Sequence, residues 1–384
     1  MLTTAYCLLS IGLTLAYIGI MLRYLIDWSK TPVYVLPLKK EYHTRVSILV
    51  PARNEAANIA GCIDSILAQD YPVDLFELIV IDDHSSDATA AIVQQIHHPN
   101  VRLLSLADFI QTDEAIHAYK KKAIEVGIEQ AKGTLIVTTD ADCMVSPQWL
   151  SYLVSYYEQT KTRFIAAPVN FHREQNLLER FQSLDFIGMM GITGAGIKGR
   201  YMYMCNGANL AYEKAAFYDL GGFQGIDQLA SGDDMLLMEK FAEHDPDSIG
   251  FIKNSAARTY SLAQPDWSSF VQQRIRWASK SGNYQKWQVI LMLAIVFLFC
   301  LNILLSLGLS LLGNASLIGI FIGQLLSKIL VDWLFLDQMS RFFDRRDLMR
   351  VFLPAQALHI FYIALIGFLA NIKSAYQWKG RTTH

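Results

Sequence analysis

The sequence predicts an α/β domain with a mixed, largely parallel sheet, flanked by membrane-spanning helices. Three observations carry this expectation. Strand-like and helix-like patterns alternate between residues 45 and 170, long uncharged apolar segments occupy both ends, and polar clusters fall where the apolar strands stop.

Residues 2–22, "LTTAYCLLSIGLTLAYIGIML", carry no charge and approach the length that crosses a bilayer. A cleavable signal peptide has its basic stretch before the apolar core, whereas Arg23 and Lys30 follow this one. It reads as an uncleaved anchor, 1–26, with its N-terminus outside. The polar, proline-bearing stretch that follows reads as a linker, giving 27–44.

The α/β domain is expected over 45–287. "RVSILV" is an apolar strand, "EAANIAGCIDSILAQD" has helical spacing, "LFELIVI" is a strand and "DATAAIVQQIHH" a helix. "VRLLSL", "AIEVGIEQAKG" and "TLIVTTD" continue the alternation. Ligands of such sheets bind beyond the C-terminal strand ends, so "PARNE", "DDHSSD" and "TTDADC" are expected on one rim. The stretch 176–204 begins amphipathic and becomes rich in glycine and methionine. It reads as core or as a segment lying on the membrane surface.

Apolar segments at roughly 289–313, 315–336 and 351–372 read as three helices of a second membrane region, 288–373, followed by a tail, 374–384. Arg23, Lys30, Lys39 and Lys40 follow the first span, and Arg341, Arg345, Arg346 and Arg350 lie between the last two. Four crossings put both sets in the cytoplasm; the basic tail pulls the other way and leaves an odd number open.

A net charge of −2 gives no reason to expect nucleic acid, and 52% hydrophobic residues exceed a purely soluble composition. The five cysteines show no CxxC spacing and read as reduced structural thiols, with no zinc site. Absence of GxGxxG after the first strand and of GxxxxGK[ST] argues against a dinucleotide enzyme or a P-loop hydrolase.

Asp140 and Asp142 end an apolar run one residue apart, where paired anions repel unless a cation joins them. A bound metal is the economical reading; a turn whose acids face water is the alternative.

In five places, in order, the chain resembles the membrane-bound family 2 glycosyltransferases, which have the GT-A fold. "PARNE" at 51–55 looks like their first nucleotide-contacting loop, "DDHSSD" at 82–87 like DDxSxD, and "DAD" at 140–142 like the metal motif. "GDD" at 232–234 looks like the catalytic ED or DD, and "QRIRW" at 273–277 like QxxRW. The resemblance implies nucleotide-sugar contacts from Pro51, Arg53, Glu55, Asp82, Asp83, Lys120 and Asp140, with Asp83 preferred over Asp82 for uracil and ribose. It implies Mg²⁺ or Mn²⁺ on Asp142 and Asp140, Asp234 as base with Asp233 beside it, and Gln273, Arg276 and Trp277 toward diphosphate and acceptor.

Each role has a bland counterpart. Asp87 is placed to cap a helix, and Asp233 and Asp234 stand where a capping pair would. Lys120, Lys121 and Lys122 open a helix and oppose its dipole, which suggests a compensating anion or a solvated basic face. Gln273, Arg276 and Trp277 share a helix face that also suits a membrane interface.

The resemblance implies an inverting, metal-dependent hexosyltransferase of the inner (plasma) membrane with its catalytic domain in the cytoplasm. The donor would be a nucleotide sugar, expected to be a UDP-sugar, and the acceptor lipid-linked. Processive polysaccharide synthesis is the alternative within that class, and a non-catalytic membrane assembly subunit the alternative outside it. Among the polar residues of the apolar segments, the motifs leave two spaced pairs unexplained: Lys328 and Asp332 four apart, Gln356 and His359 three apart. They read as an entry for a lipid acceptor's headgroup or, more plainly, as an ion pair that fixes helix packing.

Overall fold

The computed structural model describes residues 2–38, 41–110, 116–229, 232–278, 286–372, 376–378 and 381–383. Lys39 and Lys40, used above for orientation, and parts of the basic tail lie outside the described residues.

Along the chain run α1 (Leu2–Lys30), β1 (Val46–Ala52), α2 (Ile59–Leu67), β2 (Phe76–Asp82), α3 (Thr89–Gln94), β3 (Val101–Ser105), α4 (Tyr119–Gln130) and β4 (Leu135–Thr138). There follow β5 (Met144–Val145), α5 (Trp149–Gln159), β6 (Phe164–Ala166), β7 (Val169–Phe171), α6 (Leu177–Gly199), β8 (Leu210–Glu213) and α7 (Lys214–Asp219). Last come α8 (Met235–His244), β9 (Ile249–Phe251), β10 (Thr259–Ser261), α9 (Trp267–Ala278), α10 (Trp287–Leu311), α11 (Ile318–Phe342) and α12 (Phe352–Ile372). Two compact units result. One holds 32–173 and 203–262; the other holds 1–31, 174–202 and 263–376.

In the first unit, seven strands form one sheet in the order β3-β2-β1-β4-β8-β6-β9. β1 is apolar and buried because both faces are covered, as parallel strands require. Its neighbours β2 and β4 run parallel to it, with Val46 opposite Phe76 and Leu135. α2 covers one face through Ile59, Cys62, Ile63 and Ile66, the spacing of a helical stripe, and joins a core with Ile48, Val50, Trp149 and Leu153. β8 runs antiparallel to β4 and β6, which makes the sheet mixed. Since β1, β2 and β4 share a direction, their three following loops leave from one edge, as the alternation predicted.

The second unit contains four helices long and apolar enough to cross a membrane: Thr3–Lys30, Trp287–Leu311, Ile318–Phe342 and Arg346–Leu369. Their outward residues, among them Leu8, Leu15, Leu305, Leu330 and Phe361, are exposed and apolar, as lipid contact asks. α11 runs past the expected end at 336, because Asp337 and Arg341 pair at i, i+4 with 2.8 Å between charges and extend the last turns.

α6 is core of this unit. A Cβ on Gly191 would press on the Met339 and Phe335 side chains of α11, which would have to shift, so the glycine suits the close approach of the two helices. The expected contiguous domain 45–287 therefore differs from the observed division, which groups 174–202 and α9 with the apolar helices.

Candidate active site

The first two rim loops are knitted together. Arg53 Nη1 donates to the carbonyls of Asp83 (2.8 Å) and His84 (3.0 Å), and the Asn54 N–H donates to Ser85 Oγ at 3.0 Å. Asn54 and His84 hold left-handed backbone, φ 53° and 54°, a conformation costly for most residues and common where function fixes a loop. The N-cap of α3 is Ala88, so Asp87 stands one residue before the expected cap position; it accepts from the Thr89 N–H (3.0 Å) and from the Ala56 N–H (3.1 Å) across the loops. Pro51 is a strand residue opposite Ile81, and Glu55 is buried and accepts from Asn58 Nδ2 at 2.9 Å.

The two aspartates after β2 differ. Asp83 Oδ1 lies 2.9 Å from His84 Nδ1. Asp82 Oδ2 accepts from the Ser85 N–H at 3.2 Å, while its buried Oδ1 has no hydrogen-bond partner among the described residues. An orphaned buried carboxylate oxygen is costly and suits a ligand's donor.

The third loop leaves β4, which stops at Thr138. Asp140 and Asp142 therefore stand on a turn closed by the Cys143 N–H to the Asp140 carbonyl (3.1 Å), rather than on alternate strand positions. One ligand atom each of Asp140, Asp142 and Cys143 fall within 4.8 Å of one another. Burial, then the charges of Asp142 and Asp140, push the Cys143 thiol up, so it stays a weak S–H donor, with its Sγ 3.5 Å from Asp142 Oδ1. Two carboxylates remain as ligands, a hard oxygen set that fits Mg²⁺ or Mn²⁺.

Lys120 joins this turn to the "GDD" stretch. Its Nζ lies 2.8 Å from Asp140 Oδ1 and 3.2 Å from Asp233 Oδ2. Burial alone would lower its pKa, but the carboxylates of Asp140, Asp233 and Asp234 raise it above the usual lysine value. The anion expected opposite the lysines of α4 is thus present for Lys120. Lys121 instead binds the carbonyls of Ile226 and Leu229.

Asp234 caps α8, accepting from the Met235 N–H at 2.7 Å, and its other oxygen accepts from the Gly207 N–H at 3.1 Å. Gly207 was not foreseen. A Cβ there would lie 3.3 Å from both Asp233 Oδ2 and Lys120 Nζ, so the glycine leaves room for the charged junction. Its carbonyl accepts from Thr138 Oγ1 at 3.1 Å, tying the junction to the end of β4. The only local sign is a glycine between two asparagines in "NGAN".

In the other unit, Gln273, Arg276 and Trp277 lie on α9 at the expected helical spacing. Lys328 is fully buried; its Nζ donates to Asp332, to Gln356 Oε1 at 3.0 Å and to Tyr17 Oη at 3.3 Å, while Tyr17 Oη donates to Asp332 Oδ1 at 2.6 Å. His359, expected with this group, has Nε2 3.9 Å from Asp185 Oδ1 of α6.

A mixed sheet whose rim gathers loops of this kind, in a chain with four helices of membrane length, defines an α/β protein of the GT-A-like class. Residues 47–221 match the profile of glycosyl transferase family 2, and residues 135–369 that of glycosyl transferase family group 2. The second match spans more than half of the chain, and the protein belongs to that glycosyl transferase family.

Among curated relatives, glycosyltransferase AglE of Haloferax volcanii is 32% identical over 126 residues, 33% of this chain and 40% of its own length. Poly-beta-1,6-N-acetyl-D-glucosamine synthase of Staphylococcus epidermidis is 24% identical over 195 residues, 50% of this chain and 45% of its own. The chain thus spans less than half the length of either relative. The solved structure of mannosyltransferase PcManGT from Pyrobaculum calidifontis, in complex with GDP-Man and Mn²⁺, shares the fold, with a TM-score of 0.58 at 21% identity over 94% of this chain and 99% of that one.

Proposed function

We propose that the protein is an inverting, metal-dependent glycosyltransferase that moves a sugar from a UDP-sugar to a membrane-associated, lipid-linked acceptor. The observation that carries this reading is the partly exposed junction in which Lys120 bridges Asp140 and Asp233, beside the turn that bears Asp142.

In this reading Asp82 Oδ1, Asp83 and the Pro51–Glu55 loop receive base and ribose. Bound Mg²⁺ or Mn²⁺, held by Asp142 with Asp140, supplies charge compensation for the departing diphosphate. Lys120 adds a second positive charge at the same place. Asp234 accepts the proton of the acceptor hydroxyl as that oxygen bonds to the anomeric carbon. The bond to the diphosphate breaks on the opposite side, its electron pair leaves with the diphosphate, and configuration inverts. The N–H groups of Met235 and Gly207 fix the direction of the Asp234 carboxylate. To Gln273, Arg276 and Trp277 we assign the contacts with diphosphate and acceptor that the family motif implies. For Lys328 and Asp332 the geometry supports packing, since all three ammonium donors are met inside the helices. We place the sheet domain in the cytoplasm, at the plasma membrane.

Processive synthesis is the second reading, favoured by the relative named as a poly-N-acetylglucosamine synthase. The test uses full-length protein in detergent with membrane lipid extract, a panel of UDP-sugars and GDP-mannose, with and without Mn²⁺. Nucleotide release from one donor, dependent on Mn²⁺ and lost in Asp142→Ala, is expected. A folded preparation inactive with every donor would leave the non-catalytic assembly subunit, and products of many sugar units would select the processive reading.

A further inference from the structure

Arg274 lies within the QxxRW run without being one of its signature residues. Its side chain is 4% exposed, and a guanidinium so placed requires an anion. Asp185 of α6, itself 7% exposed, supplies it, with Oδ2 3.0 Å from Arg274 Nη2. Tyr362 of α12 binds the same carboxylate, its hydroxyl 3.2 Å from each oxygen. Three helices therefore meet at one charge pair.

The face of the guanidinium is used as well. Arg274 Cζ stands 4.4 Å from the centroid of the Trp277 ring and 5.0 Å from that of Phe270. On α6 the residue after Asp185 is Phe186, whose ring centroid is 6.0 Å from that of Trp277. Successive α6 residues thus hold the guanidinium that lies on the indole and the indole itself. A planar cation suits this arrangement where an ammonium would not, since it stacks and pairs at once. Arg274 Nε and Nη2 and Gln273 Oε1 are buried and lack hydrogen-bond partners among the described residues, Nη2 being met by the ion pair to Asp185.

We propose that Asp185, Arg274 and Tyr362 form a clamp that positions Trp277 toward a hydroxyl-bearing acceptor, so that the membrane-length helix α12 sets the direction of the indole. The proposal rests on the reading of Trp277 as an acceptor-facing residue. Arg274, Asp185 and Tyr362 are positioning residues in it, because they act on the acceptor through the tryptophan.

The test labels the full chain with 5-fluorotryptophan in detergent micelles. Its seven tryptophans give seven fluorine signals, and Trp277→Phe identifies one of them. Arg274→Lys keeps the charge and removes the planar stack; Tyr362→Phe removes a single hydroxyl and leaves the ring in place. Both should move the Trp277 signal by more than its linewidth while the other six hold. A Trp277 signal unmoved in both folded variants would overturn the clamp. With membrane lipid extract as acceptor, Tyr362→Phe should raise the half-saturating amount of extract at least fivefold and leave hydrolysis of donor by water within twofold. Unchanged extract dependence with a displaced signal would overturn the acceptor role. If the parent protein turns over no donor, the transferase reading falls and the acceptor role with it, while the fluorine signals still decide whether the clamp holds the indole.

Discussion

At Asp234 a structural duty meets the proposed catalytic one in one carboxylate. It caps α8 through the Met235 N–H and accepts from Gly207, so its orientation is set before any acceptor arrives. Asp234→Asn keeps the shape and one accepting oxygen but cannot take a proton. Donor affinity within about threefold of the parent is expected, with transfer reduced roughly 100-fold or more, on the scale of general-base contributions. Donor affinity falling in step with rate would assign Asp234 to binding instead. Gly207→Ala tests the neighbouring room. Its methyl group would press on Lys120 and Asp233 at 3.3 Å, and we expect transfer to fall about tenfold or more with the thermal midpoint nearly unchanged. Loss of the fold in step with activity would make Gly207 a packing residue only. The charged residues of this site were legible because each occupies a recognisable run; Gly207 was not, since its partners Lys120, Asp233 and Thr138 lie far from it in the chain.

At the scale of elements, the parallel order of β1, β2 and β4 followed from alternating strand and helix patterns, and the four long apolar helices followed from length and composition. β8 escaped notice, because four residues are too few to display a period. The charge pair of α11 was visible at its i, i+4 spacing and Gln356 was grouped with it, yet Tyr17, which completes it, stands on α1 and was not foreseen. This network yields a stability prediction. Lys328→Met leaves Asp332 buried with Tyr17 as its one remaining partner among the described residues and should cost about 3 kcal/mol, while adding Asp332→Leu should restore most of that loss. Thermal unfolding in detergent reads both; a double variant no more stable than the single one would refute the packing account. Glu174 and Arg345 form a second pair, bidentate at 2.9 Å. Burial alone would raise the Glu174 carboxyl, but Arg345 and Ser183 hold it below its usual value. Its contribution is therefore present above the unfolded carboxyl value and lost as pH falls through the lower folded one.

Across the whole molecule, each unit is assembled from separated stretches of chain, so neither is a contiguous segment. The sequence reading drew its boundary at 45–287 because charge and hydropathy change there, and neither property records that α6 returns to the apolar helices. A fragment limited to 45–287 would leave α6 without α11, baring the face around Gly191 that meets Met339 and Phe335. It should aggregate on gel filtration without detergent; a soluble monomer would show that α6 does not need that partner. The same threading imposes an order of events on the ribosome. Roughly 120 residues separate Gly199 at the end of α6 from Ile318 at the start of α11, and at about 5–20 residues per second they take on the order of ten seconds to emerge. For that interval the glycine-lined face of α6 has been made and its neighbour has not, so the nascent chain must shelter that face in lipid, on α1 or with a chaperone until translation delivers α11.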